Sequence, residues 1–430
     1  MIENNRIIIV DDNSEHLNQL REVFYLHGIG CKGFEYDGLT FPNEPLRGVR
    51  FAFFDIHLNQ ANDINSTLKD AISHYISVDN GPYILIFWSN NTDKVSEFTE
   101  FINRENDEFK NRLKPIHLTA IDKSEFLDKN NKLDEKIKSI FSSDIVKCLI
   151  GFDESVLIAA QQTINRIFNI IPFPDKWGES KQFNTICENV FSKIAENTYG
   201  LFHAKSSPDL AVKEAIVPIF KHLLFDNEDD YWKNYLTTLQ NAQKANDIKF
   251  PDNFKVEQLN SILHIDNNRL ANKSITDRGA VCKFITNKFE DNFKEYFRIN
   301  YTDWFKNTFH VSDEEQIKKS TPIVIEFSAA CDFCQNKPRT NKYMLGALLP
   351  FELRKKIKNV GEYTFLFPFN FEFDSKSWLI GLNFNYTFTV SNSDNLLVQK
   401  PLFILTKELM DTIGHRYAAH LSRIGITSFG

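Results

Sequence analysis

The sequence lacks most of the features that would set it apart from ordinary globular proteins. Its 430 residues hold only six cysteines, too few for a disulfide scaffold. No apolar run reaches the ~18 residues needed to span a bilayer. The short apolar stretch Arg6–Val10 runs at once into Asp11 and Asp12, so no secretory signal is expected. Positive charge is not in excess either. Fifty Lys and Arg stand against 57 Asp and Glu, a formal charge of −7, which argues against a basic nucleic-acid binder. Hydrophobic residues at 42% and charged residues at 25% exclude wholesale disorder and a collagen-like fibre. Together these absences predict a soluble, cytoplasmic chain of two to four domains, at about 100–200 residues each.

Phenylalanine is plentiful, at 40 residues against three Met. An aromatic stacking surface would need Phe clustered with Lys or Arg on one face, but Phe is spread from Phe24 to Phe429. Core filling in a compositionally biased genome is the simpler expectation. Four cysteines, Cys31, Cys148, Cys187 and Cys282, stand alone in apolar or helical text and read as small buried hydrophobes. Only Cys331 and Cys334 form a close pair.

Along the chain, the first block alternates short apolar runs with amphipathic segments. Arg6–Val10, Gly30–Phe34, Phe51–Phe54, Tyr83–Trp88 and Pro115–Ile121 read as strands. Helices are expected at Ser14–His27, Asn65–Ile76, Thr92–Leu113 and Ser124–Phe141. Such alternation means βαβ units and a parallel sheet covered on both faces, an α/β fold of flavodoxin-like (βα)5 type. The expected domains are 1–143, then an all-α region over 144–319, then a β-rich α+β domain over 320–430. The middle block is expected to hold helices such as Lys181–Glu196, Asp209–Phe225, Asp229–Lys244 and Ile275–Phe297.

Ligands of parallel sheets bind at the carboxyl ends of the strands. There the sequence sets Asp11 and Asp12, then Asp55, then Ser89, then Lys123. Three converging carboxylates repel one another and call for a hard divalent cation, with Mg²⁺ the natural choice. A carboxylate beside Mg²⁺ can attack phosphorus and form an acyl phosphate. A hydroxyl at Ser89 can bond a phosphoryl oxygen, and the Lys123 ammonium can neutralise another.

These residues, in the text IIIVDD, FAFFD, ILIFWS and IHLTAIDK, resemble the receiver domain of two-component response regulators over roughly residues 1–140. The resemblance implies Asp55 as phosphoacceptor, Asp11 and Asp12 as metal-binding acids, Ser89 as switch hydroxyl and Lys123 as phosphate-binding lysine. It also implies a partner histidine kinase, a downstream effector protein, and pairing into a homodimer. The IFWSNN text is similar to divergent receiver-like domains of antiphage operons, including the Detocs type. The chain departs from the family pattern at Ser124, where proline usually follows the lysine. It departs again at Ala120, where an aromatic ring usually sits, and at Asn90, where a small residue is usual. These departures put ordinary switching and fast turnover outside expectation. His57, two residues past Asp55, falls where receivers tune dephosphorylation, or is a solvent-facing loop residue.

Cys331 and Cys334 have zinc-knuckle spacing, but a structural Zn²⁺ needs two further ligands and the sequence has no second C-x-x-C. Three functions follow for testing. The first is a phosphoacceptor in a phosphorelay, a response regulator or phosphate sink serving antiphage defence, rather than a multi-turnover enzyme. The second is a pseudo-receiver scaffold that is never phosphorylated. The third is a metal or enzyme function at Cys331 and Cys334.

Overall fold

The computed structural model describes residues 6–422 apart from 61, 91–93, 105–114, 126–134, 136–138, 141–143, 174–175, 177, 227–229, 267–269, 271–272, 285–288, 329–339, 391–396 and 399. The fold is mixed α/β, with an N-terminal parallel sheet flanked by helices, a helical middle and a C-terminal antiparallel sheet. The chain divides into two compact units. One holds residues 1–153 and 230–235, the other 154–229 and 236–430.

The first unit is built on β1 (Ile7–Asp11), β2 (Lys32–Glu35), β3 (Phe51–Phe54), β4 (Ile84–Ser89) and β5 (His117–Asp122). All neighbours pair in parallel, in the order β2-β1-β3-β4-β5. Successive strand residues point to opposite faces, and both faces are apolar. Ile8, Val10, Ala52, Phe54, Leu85 and Phe87 pack against α2 (Ile64–Tyr75) and α3 (Lys94–Arg104). Ile7, Ile9, Phe51, Phe53, Ile84, Ile86 and Trp88 pack against α1 (Ser14–Leu26) and the start of α4 (Asp144–Phe168). Doubly covered strands read as continuous apolar runs, which is why IIIV, FAFF and ILIFW stand out in the text. Of the two helices expected after Asn91, α3 is described from Lys94 to Arg104, while most of Ser124–Phe141 lies outside the described residues.

In the second unit the middle helices are α5 (Ser180–Tyr199), α6 (Leu201–Ser206) and α7 (Pro208–Phe225). The short helices α8 (Tyr231–Tyr235), which belongs to the first unit, and α9 (Thr237–Asn241) stand where one helix was expected over Asp229–Lys244, and α10 (Val256–His264) follows. The expected helix over Ile275–Phe297 is also corrected. Residues Ala280–Lys283 form strand β7, and α11 spans Phe289–Phe297. Val281 and Phe284, and then Phe289, Phe293 and Phe297, fall at three- and four-residue spacing, but Gly279, with φ 87°, breaks the chain just before the strand.

β7 belongs to an eight-stranded antiparallel sheet with β6 (Ile265–Asp266), β8 (Thr321–Glu326), β9 (Asn341–Pro350), β10 (Thr364–Leu366), β11 (Phe371–Phe373), β12 (Lys376–Val390) and β13 (Phe403–Leu405). Helices α12 (Tyr301–Phe309), α13 (Glu314–Lys319) and α14 (Lys407–Leu421) complete the unit. One core runs from Ile265 to Ile413. The joint expected at 319/320 therefore falls inside a single core, and the region expected to be all-α contributes two strands. The reason is physical: β6 and β7 are too short to show a period of their own and are stabilised by pairing with β13 and β8. Eight Phe of this core are buried, including Phe293, Phe305 and Phe309, so much of the Phe excess is core filling. No helix among the described residues is long and apolar enough to cross a membrane.

Candidate functional site

The site forms where β1, β3, β4 and β5 end. Because β1 is buried along its whole length, its last residue Asp11 is carried into the interior with no exposed surface. Asp12 follows outside the strand and is half-buried. Asn13 then caps α1, its side chain accepting the N–H groups of Glu15 (2.9 Å) and His16 (3.3 Å). The Asn13 N–H donates to Asp11 Oδ1 (2.9 Å), which fixes that carboxylate against the turn. Asp55 directly follows β3 and is 7% exposed. Ser89 is the buried last residue of β4, the strand lying between those that end near Asp55 and Lys123. Lys123 directly follows β5 and is 2% exposed.

Lys123 ties the site together. Its Nζ donates to Asp11 Oδ2 at 2.7 Å and to Asp55 Oδ2 at 2.8 Å, both within the interior. Carboxylate oxygens of Asp11, Asp12 and Asp55 all lie within 4.8 Å of one another. Asp12 turns its Oδ2 to the Asn59 N–H (2.8 Å), and Asn59 holds a left-handed φ of 55°, a conformation Asn tolerates better than most residues. The His57 N–H reaches Asp55 Oδ1 at 3.3 Å. Burial pushes the Asp11 carboxyl above its ordinary value. The charge and hydrogen bond of Lys123 pull it back, and Asp55 adds a smaller upward push. The Lys123 ammonium thus holds two buried carboxylates together.

The chain matches no family model, no curated protein and no solved structure. Three carboxylates with oxygens this close form a hard-oxygen donor set of the kind Mg²⁺ takes, usually with water in its remaining positions. Asp11 and Asp55 are buried and Asp12 is half-buried, so an ion entering from solvent would meet Asp12 first.

The four charged residues expected at the strand ends are brought together, with Ser89 on the intervening strand. Cys331 and Cys334 lie outside the described residues. His57 is half-buried rather than solvent-facing, and its Nε2 is buried without a hydrogen-bond partner among the described residues. Ala120 is half-buried against the α2/α3 cluster and Asn90 is exposed. Two contributors were not singled out in the sequence. His16 brings Nδ1 to 3.5 Å from Lys123 Nζ, and Asn59 supplies the N–H on Asp12. The Asp-Asp-Asn-Ser-Glu-His text signals a helix cap right after the acids, and reading it would have put His16 in the first turn beside them. A hollow of about 750 Å³ opens next to Asp12, lined by Glu35, Tyr36, Asp37, Thr40 and Asn59.

Proposed function

We propose that the first unit is a receiver-like phosphoacceptor, in which Asp55 takes a phosphoryl group from the phosphohistidine of a partner kinase. The observation that carries this reading is the buried Lys123 ammonium within 2.8 Å of both Asp11 and Asp55 at neighbouring strand ends. The strand order 2-1-3-4-5 supports it, being that of flavodoxin-like doubly wound sheets, whose ligands sit at the strand ends.

In this reading an Asp55 oxygen attacks phosphorus, the bond to the donor nitrogen breaks, and the donor leaves with the electron pair and takes a proton. Bound Mg²⁺ supplies the positive charge that lets an anionic donor approach an anionic acceptor. Asp11, Asp12 and Asp55 fit that ion by donor type and mutual distance. Lys123 holds the Asp55 carboxylate in place through its hydrogen bond to Oδ2, and its ammonium can pass to a phosphoryl oxygen once the acyl phosphate forms. The Ser89 hydroxyl is a neutral polar group at the adjoining strand end. The downstream reader of this state, and a role in antiphage defence, belong to the same proposal.

A second reading is a scaffold that is never phosphorylated. It is favoured by Lys123 already occupying both inner carboxylates, and by Ala120, which has no ring to move. One experiment separates them. The full chain is incubated with Mg²⁺ and a small phosphodonor and its intact mass measured. Phosphoacceptance requires an adduct of one phosphate group that is absent in Asp55→Asn. No adduct, or one that persists in that variant, leaves the scaffold.

A further inference from the structure

The Lys123 ammonium has three N–H groups to place, and two of them go to Asp11 and Asp55 at 2.7 and 2.8 Å. A third acceptor stands on helix α1. His16 Nδ1 lies 3.5 Å from Nζ, at the long end of hydrogen-bond range. An ammonium cannot accept a hydrogen bond, so the contact requires Nδ1 to be the bare ring nitrogen, with the ring proton on Nε2.

His16 is half-buried in the first turn of α1 and is itself held by the helix cap. Its N–H donates to Asn13 Oδ1 at 3.3 Å, and the Asn13 N–H donates to Asp11 Oδ1 at 2.9 Å. Asp11 Oδ2 in turn receives Lys123. Asp11, Asn13, His16 and Lys123 therefore close a ring of hydrogen bonds. Asp55 lies outside that ring and meets it at Nζ.

We propose that His16 is a positioning residue of the phosphoacceptor site, acting through Lys123. Nδ1 and Asp11 hold the ammonium by two of its N–H groups, so that loading Asp55 exchanges only the third, from Asp55 Oδ2 to a phosphoryl oxygen. The inference rests on the phosphoacceptor reading above. A charge assists such a transfer most when it is aimed before the reaction begins. Because Asn13 bonds both Asp11 and His16, the two anchors are fixed to the same helix cap. A neutral acceptor also suits the place better than another acid. A further carboxylate would bind the ammonium more tightly and repel the arriving phosphoryl group, whereas an imidazole nitrogen does neither. Without Nδ1, Asp11 alone would hold the ammonium during the exchange, and its aim would be lost.

The test uses the full chain with Mg²⁺ and acetyl phosphate, whose phosphoryl group passes to an Asp55 oxygen as acetate leaves. His16→Leu keeps the bulk of the side chain and removes its acceptor. His16→Asn restores one, since Asn Oδ1 stands two bonds from Cβ as His Nδ1 does. The first readout needs no phosphorylation. It is the exchange of the Lys123 ammonium protons with water, followed by NMR on ¹⁵N-lysine protein, with Lys123→Met identifying the signal. His16→Leu should exchange about tenfold faster, the effect of losing one hydrogen bond to a charged group, and His16→Asn should recover most of the protection. The second readout is the rate at which the phosphate mass appears. It should fall about tenfold in His16→Leu and be largely rescued in His16→Asn. Ammonium exchange in His16→Leu equal to that of the unaltered chain overturns the inference. So does phosphate uptake that is unchanged in His16→Leu, or slowed alike in both variants, and these results leave the phosphoacceptor reading standing. An unaltered chain that takes no phosphate overturns that reading, and the inference with it.

Discussion

Replacing Lys123 by methionine keeps the length of the side chain and removes its charge. Each of its two contacts, at 2.7 and 2.8 Å, carries about 6 kcal/mol of Coulomb attraction at an effective dielectric of ~20. Most of that is offset by taking the three groups out of water. What remains after the substitution is a pair of buried, like-charged, unpaired carboxylates, and leaving such charges uncompensated costs about 3–5 kcal/mol. The loss should be local, so hydrogen exchange of β1 and β3 peptides in the full chain is the suitable assay, alongside urea unfolding. Lys123→Met should lower protection there by about two to four orders of magnitude, since ~1.4 kcal/mol is tenfold. Adding Asp11→Asn removes one of the two charges and should recover part of the loss.

The pH dependence has a definite sign. Burial already raises the Asp11 carboxyl, and losing Lys123 raises it further. A carboxyl with a raised folded value favours the folded state most when protonated. The penalty in Lys123→Met is therefore full above that raised value and fades as pH falls toward the ordinary 3.8. Millimolar Mg²⁺ should also stabilise the variant, by about 2.7 kcal/mol at a hundredfold excess over its Kd, and the unaltered chain by less. Unchanged exchange in β1 and β3 would refute the reasoning that Lys123 holds the site. A variant indifferent to Mg²⁺ would refute the metal reading of the three acids.

Other consequences can be checked separately. The Asp37 carboxyl is held down at about 2 by the hydroxyl and N–H of Thr40 and the N–H of Leu39. A depressed carboxyl stabilises above its unfolded value and loses that contribution as pH falls through its folded one. Exchange at Leu39 and Thr40 should accelerate between pH 3.8 and about 2, and this acid step should vanish in Asp37→Asn. Gly346→Ala drives a Cβ to 2.6 Å from the Gly381 carbonyl oxygen on the neighbouring strand. It should cost about 1–3 kcal/mol by overpacking, read as a lower urea midpoint for the second unit, and an unchanged midpoint would contradict the β9–β12 register. The Cys282 thiol is fully buried and pushed up to about 12, first by burial and then by Glu326. It should resist alkylation at about pH 8 until the chain is denatured, and rapid labelling of the native protein would show that β7 opens.

The first unit was the more legible because each of its signals stands on its own. IIIV, FAFF and ILIFW are long enough to be strands without reference to anything else, and each ends abruptly in Asp or Ser. Position then followed from a general rule about parallel sheets. The pairing of one Lys123 nitrogen with both Asp11 and Asp55 was not legible, because it depends on how three loops curl after the strands end. The second unit was harder for a related reason. β6, β7 and β13 are two to four residues long and exist by virtue of partners far away in sequence, while β10 and β11, three residues each, pair with the nearby β12. The phenylalanines around them mislead, since Phe284, Phe289, Phe293 and Phe297 cluster through ring contacts that cross a strand and a helix. Read in one dimension, that cluster looks like a single helical stripe.

The strict alternation of the parallel sheet governs how the first unit can change length. In β4, Leu85 and Phe87 serve one layer of helices while Ile86 and Trp88 serve the other. One residue inserted before Ser89 would exchange every one of these partners and turn the strand's last side chain to the opposite side. The connections carry no such parity. An insertion scan should therefore return a binary pattern, with strands admitting nothing and the exposed turn near Leu39 admitting a good deal. Chains of this architecture can drift in their loops while the spacing from strand start to strand end stays fixed by geometry.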